Sequence, residues 1–201
     1  MSSMTAAAPA APDVACVNVP GVRGPSCDAV RMDGPLYGVA DAPDGAVGQA
    51  ERWLGWLAGR LGRHPRGDDL KAVLRRAPGR RWLPGISRPE VTGVAVAVLE
   101  PGWLTVGQLG SASVHRVRDH RPVLVAGAGR LGSVAVVRLQ PWPGDRYVLA
   151  TDGFWELLDD QTLTELTAGE PAEMCTRLHD LALDRLAEDA AAVVLGFRCR
   201  T

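Results

Sequence analysis

Lysine is almost missing from this 201-residue chain: Lys71 is the only one, and the other basic residues are arginines, a bias that reflects GC-rich codon usage as much as chemistry. A basic excess is missing as well. Lys and Arg total 22 against 23 Asp and Glu, for a net charge of −1. That balance excludes a nucleic-acid binder driven by phosphate neutralisation, so no nucleic-acid partner is expected. No apolar run approaches the ~20 residues of a membrane helix, so no membrane partner is expected either. Cysteine is sparse: Cys16, Cys27, Cys175 and Cys199 are scattered and form no C-x-x-C. This signals neither a disulfide framework nor a structural zinc site, and leaves reduced thiols as the default. Residues 1–12 are rich in Ala, Ser and Pro and lack the basic and apolar regions of a signal peptide. They are expected to be a disordered tail on a cytoplasmic protein. No internal repeat appears at any period of about 20–50 residues.

What remains is ordinary globular material, 46% hydrophobic and 22% charged, and residues 13–201 read as one domain. Short β-like runs lie at 14–19, 29–32 and 36–40, with Asp33-Gly34 as a hairpin turn between the last two. Residues 46–62 place Ala50, Trp53, Leu54, Leu57 and Leu61 on one helical face. Residues 68–77 start acidic and end in arginine, as the helix dipole favours. Strand runs then follow in quick succession at 91–99, 103–110, 113–118, 122–125, 133–139 and 146–151, separated by turns such as Asp119-His120. Such spacing suits antiparallel pairing. Two helical stretches, about 154–168 and 171–187, precede a last strand at 191–197. The order describes an α+β domain in which helices cover antiparallel sheets.

Three apolar strands abut an aspartate: Asp41 at the end of LYGVAD, Asp152 after YVLAT, and Asp189 just before the last strand. If those strands are neighbours, the carboxylates converge and repel, which a cation would relieve. Oxygen-only ligands suit Mg²⁺ or Mn²⁺. Each Asp taken singly also reads as a helix N-cap or turn residue. Other features read plainly. His64, His115, His120 and His179 show no ligand spacing, and the tryptophans are packing anchors, with Trp82 or Trp142 suited to an interface if exposed. Gly127–Gly132 has the letters G-x-G-x-x-G but opens no helix, so it fails as a dinucleotide site. Arg75, Arg76, Arg80 and Arg81 form a solvated basic face.

The segment Arg23-Gly-Pro-Ser-Cys-Asp28-Ala resembles the R-x-x-N-E-D-A opening of the metal-dependent protein phosphatases, the PPM or protein phosphatase 2C family. Residues 36–45 (LYGVADAPDG) resemble its F-x-V-x-D-G-H-G-G segment, and residues 91–112 its V-G-D-S-R hairpin. Residues 144–158 (GDRYVLATDGFWELL) give the most specific match, and 188–197 resemble the terminal D-N-x-T strand. The matches keep family order over about residues 21–198, as in a small, divergent bacterial member. The resemblance implies a two-sheet antiparallel β sandwich flanked by helices, here lacking the flap because the stretch from Val125 to Gly132 is short. It implies hydrolysis of phosphoserine or phosphothreonine in a protein, or of a small phosphate ester, by a water activated on one or two Mn²⁺ or Mg²⁺ ions. By position, Asp41 would bridge the metals, Ala42 would offer its carbonyl, Asp152 and Asp189 would complete one shell, and Asp28 would sit behind. Arg23 would hold the substrate phosphate.

The departures are specific. The family's second-metal Glu falls at Cys27, its proposed general-acid His at Pro43, the Asp of G-D-S at Ser111, and the Asn after the last Asp at Ala190. Asp44 lies one residue beyond Pro43 and is expected to cap the following helix. A thiol is a soft ligand, poorly matched to these ions. Losing a general acid typically lowers rate by about 10²–10⁴. Two readings follow: a slow metal-dependent phosphatase, or a pseudophosphatase that binds a regulatory phosphoprotein without cleaving it.

Overall fold

The computed structural model describes residues 11–20, 25–76, 91–127, 133–166, 169–187 and 189–198. The chain runs β1 (Asp13–Val19), β2 (Ala29–Asp33), β3 (Leu36–Asp41), α1 (Gln49–Leu61), α2 (Gly67–Arg76), β4 (Gly93–Glu100), β5 (Trp103–Gly110), β6 (Ser113–Arg118) and β7 (Arg121–Ala126). It continues with β8 (Val134–Leu139), β9 (Arg146–Ala150), α3 (Asp152–Trp155), α4 (Asp160–Leu166), α5 (Pro171–Asp184) and β10 (Ala190–Gly196). Two five-stranded sheets form, in the orders β1-β10-β9-β6-β7 and β2-β3-β4-β5-β8. All described pairings are antiparallel.

The apolar pattern explains a four-layer sandwich. In β4 the residues Val94, Val96 and Val98 pack toward the helix side with α1 and α2, while Ala95 and Ala97 pack between the sheets. In β10 the residues Ala190, Ala192 and Val194 pack toward α5, and Ala191, Val193 and Leu195 between the sheets. A strand covered on both faces has no polar side, so these segments read as unbroken apolar runs. The inter-sheet layer uses small residues in β4 and large ones opposite, including Tyr147 and Phe197, whose rings meet edge to face at 5.7 Å. Helix α1 buries the five residues its periodicity selects, Ala50, Trp53, Leu54, Leu57 and Leu61. Helix α2 lies so close to β5 that a Cβ on Gly107 would overlap a Leu74 methyl. Among the described residues no helix is long and apolar enough to cross a membrane.

Several expectations are corrected. The stretch at 154–168 is two helices, because Asp159 interrupts it: its carboxylate accepts the Thr162 N–H at 2.7 Å and caps α4. Asp44 does not cap α1, which starts five residues later behind Gly48, a residue with positive φ. Trp103 and Trp142 are not packing anchors; both are exposed, with the guanidinium groups of Arg138 and Arg118 over their rings. His115 needs no correction: it is a strand residue, buried on β6 and stacked on Trp155 at 4.3 Å. Residues 1–10, Arg80, Arg81, Trp82, most of the 127–132 segment and Cys199 lie outside the described residues, as do the expectations placed on them.

Candidate active site

Strand register decides where the carboxylates go. Ala29 pairs with Ala40, so Asp28 precedes β2 next to Asp41 at the end of β3. Ala192 pairs with Ala150, so continuing the ladder brings Asp189, before β10, beside the start of α3 at Asp152 and Gly153. The backbones there touch: a Cβ on Gly153 would collide with the Asp189 carbonyl oxygen. Only glycine fits, which is a physical reason for Gly in the Thr151-Asp-Gly sequence.

Three of the four carboxylates are each held by a hydroxyl donor from a distant segment. Thr92 donates its hydroxyl to Asp41 Oδ2, and its N–H to the Asp41 carbonyl at 3.0 Å. Thr151 donates to Asp28 Oδ2 at 2.6 Å while accepting the Ala191 N–H at 2.9 Å. Ser26 donates to Asp189 Oδ1 at 2.7 Å, and Asp189 Oδ2 accepts the N–H groups of Cys27 at 2.6 Å and Asp28 at 3.2 Å. Asp152, the first residue of α3, accepts the Gly153 N–H at 3.1 Å. Reading the sequence alone does not single out Ser26, Thr92 or Thr151. Only Thr151, directly before Asp152 in the most specific motif, carries any signal.

Electrostatics ties the carboxylates together. Burial, the largest effect, pushes the Asp28 carboxyl up to about 9; the Thr151 hydroxyl opposes it, and the charges of Asp189 and Asp41 add to it. Burial also pushes Asp41 up to about 6, opposed by the Thr92 hydroxyl and reinforced by Asp152 and Asp189. Carboxyl groups are therefore crowded at this rim, with hard oxygen donors only.

As the side chains lie, no three His, Cys, Asp or Glu groups among the described residues form a cluster able to hold a metal ion. The donor chemistry nonetheless fits one hard divalent cation, because crowded carboxylates are what such an ion neutralises. It does not fit a second ion at Cys27. That side chain is buried in the apolar cluster that includes Ala29, Ala40, Ala42 and Ala50. Ala42 itself is buried next to Asp41. Arg23 lies outside the described residues.

No protein-family model matches the sequence, and no curated protein matches it. Solved structures do match. PppA, described as a key regulatory component of T6SS in Pseudomonas aeruginosa, aligns with a TM-score of 0.76 at 18% identity, over 95% of this chain and 100% of that one. The PPM Ser-Thr phosphatase MsPP from Mycobacterium smegmatis, in complex with cacodylate, aligns with a TM-score of 0.73 at 20% identity, over 92% and 97%. The catalytic domain of the serine/threonine protein phosphatase PstP, in complex with two manganese ions, aligns with a TM-score of 0.72 at 18% identity, over 94% and 99%.

Proposed function

We propose that this chain, which has the fold of the PPM Ser/Thr phosphatases, is a metal-dependent hydrolase of phosphate monoesters, acting in the cytoplasm as a single domain over 13–201. The substrate class is a phosphoserine or phosphothreonine protein, or a small phosphate ester. The observation that carries the reading is the gathering of Asp28, Asp41, Asp152 and Asp189 at one rim of the sandwich, where burial pushes the Asp28 and Asp41 carboxyls up and the charges of neighbouring aspartates act in the same direction.

Asp41, Asp152 and Asp189, with the Ala42 carbonyl, would hold Mn²⁺ or Mg²⁺. When bound, that ion supplies an activated water and neutralises phosphoryl charge. Asp28 buttresses Asp41 from behind, itself fixed by Thr151. Thr92 ties Asp41 to β4, its neighbour in the sheet. Arg23 would take two phosphate oxygens with its planar fork. Pro43 has no proton for the leaving group, so turnover is expected about 10²–10⁴ below that of a site with a general acid.

The second reading is a pseudophosphatase that binds a phosphoprotein partner. It is favoured by Cys27, whose side chain packs into the apolar layer where the family carries a Glu. The likeness to PppA, described as a regulatory component, leans the same way.

The test is Mn²⁺-dependent hydrolysis of an aryl phosphate by the wild type and by Asp152→Asn. Turnover in the wild type that the substitution removes supports the hydrolase; equal rates remove it. Calorimetry with Mn²⁺ separates the two readings further. Two tight sites argue against the pseudophosphatase, and one weak site or none, without turnover, supports it.

A further inference from the structure

We infer that Ser26 is a positioning residue, whose hydroxyl sets the plane of the Asp189 carboxylate and thereby the readiness of Asp189 to face a divalent cation. The inference rests on the metal-dependent reading above.

The geometry around Asp189 is asymmetric. Its Oδ2 takes two backbone N–H groups, from Cys27 and Asp28, which no side-chain substitution removes. Its Oδ1 takes the Ser26 hydroxyl at 2.7 Å. The terminal torsion of an aspartate is broad, so the plane of the carboxylate is set by its partners rather than by intrinsic preference. With Oδ2 anchored, the hydroxyl on Oδ1 decides whether the group is fixed or pivots.

Ser26 has one proton to give and three acceptors in reach. Asn18 Oδ1 lies at 3.2 Å and the Asp28 carbonyl at 3.3 Å, both farther than Asp189 Oδ1 and both uncharged. A hydrogen bond to a carboxylate is roughly twice as strong as a neutral one, so the proton goes to Asp189. The Ser26 oxygen in turn accepts the Asp28 N–H at 3.1 Å. Ser26 thus couples the segment that starts β2, on one sheet, to the carboxylate that precedes β10, on the other. Asn18 on β1 steadies the same turn by donating to the Asp28 carbonyl at 3.3 Å.

The experiment is calorimetric titration of the full chain with Mn²⁺, well below its melting temperature, for the wild type, Ser26→Ala, Ser26→Thr and Asp189→Ala. Melting is followed in EDTA for all four. Loss of an orienting partner typically weakens metal affinity by about 10–100-fold, so Ser26→Ala is expected in that range, with Asp189→Ala setting the floor and Ser26→Thr restoring most of the affinity. Ser26 is only half-buried and lies outside every helix and strand, so its substitutions leave the circular dichroism spectrum unchanged. A Ser26→Ala protein that melts lower but binds Mn²⁺ like the wild type overturns the positioning role. A wild type that takes up no Mn²⁺ overturns the metal-dependent reading and this inference with it, so the two failures are distinguishable.

Discussion

Thr151 and Asp28, 123 residues apart in sequence, meet through a buried 2.6 Å hydrogen bond. Thr151 also accepts the Ala191 N–H, so one hydroxyl serves β10 and the carboxylate at once. Replacing it with the isosteric Val leaves a buried N–H and a buried carboxyl without that partner. Thr151→Val is expected to lower stability by about 1–3 kcal/mol, read from urea midpoints at constant m-value. A loss below about 0.5 kcal/mol would mean that the bond contributes little.

The Asp28 carboxyl has a higher pKa in the folded chain, about 9, than its ordinary 3.8. Folding therefore takes up a proton here. The stabilisation is complete below about pH 4 and is lost as pH rises toward the folded value. Asp28→Asn has nothing to titrate and still offers Thr151 an acceptor. In EDTA, wild-type stability should fall more steeply than that of Asp28→Asn between about pH 5 and about pH 8. Parallel profiles would contradict the burial argument.

Asp145 is fully buried at the start of β9. It accepts Arg118 Nε at 2.6 Å and a second Arg118 nitrogen at 2.7 Å, with the Trp142 N–H at 2.9 Å and the Tyr147 hydroxyl at 3.3 Å. This cluster secures β9 at the end remote from Asp152. Asp145 is buried but the Arg118 side chain is 29% exposed, and Asp145 keeps two other donors, so Arg118→Ala is expected to cost about 1–3 kcal/mol through the lost charge-assisted hydrogen bonds. Chemical denaturation checks it; a near-neutral result would show that the carboxylate finds water or another donor.

Two glycines should respond oppositely to alanine. At Gly59, inside α1, a Cβ meets nothing within 4 Å, so Gly59→Ala is expected to stabilise by about 0.5–1 kcal/mol. At Gly153 the Cβ would run into a backbone oxygen of Asp189. Gly153→Ala must push apart the segments carrying Asp152 and Asp189, at about 1–3 kcal/mol or more, and should weaken Mn²⁺ binding in the same calorimetric assay. Melting temperatures that move together would refute the contrast.

Much of the architecture is legible before any coordinates. The strand runs at 103–110 and 113–118 coincide with β5 and β6, because both are bounded by turn residues at each end. The helical face of α1 is legible because five apolar residues repeat at its period. The stretch at 154–168 is not divisible by period alone, since its break depends on one side-chain cap at Asp159. At the site, Asp41, Asp152 and Asp189 stand out because a strand running into an aspartate is a local pattern. Ser26 and Thr92 do not stand out, since a lone hydroxyl in a loop has no local signature.

The sequence by itself determined the kind and order of the elements and the placing of aspartates at strand ends, since apolar period, turn chemistry and chain order are local properties. Tertiary structure alone decided that consecutive strands divide between two sheets, that Cys27 turns into the apolar layer beneath α1, and which hydroxyl serves which carboxylate. Those outcomes depend on register between segments as far apart as Ser26 and Asp189. Register is set by packing both faces of each central strand at once, which no local stretch of sequence can specify.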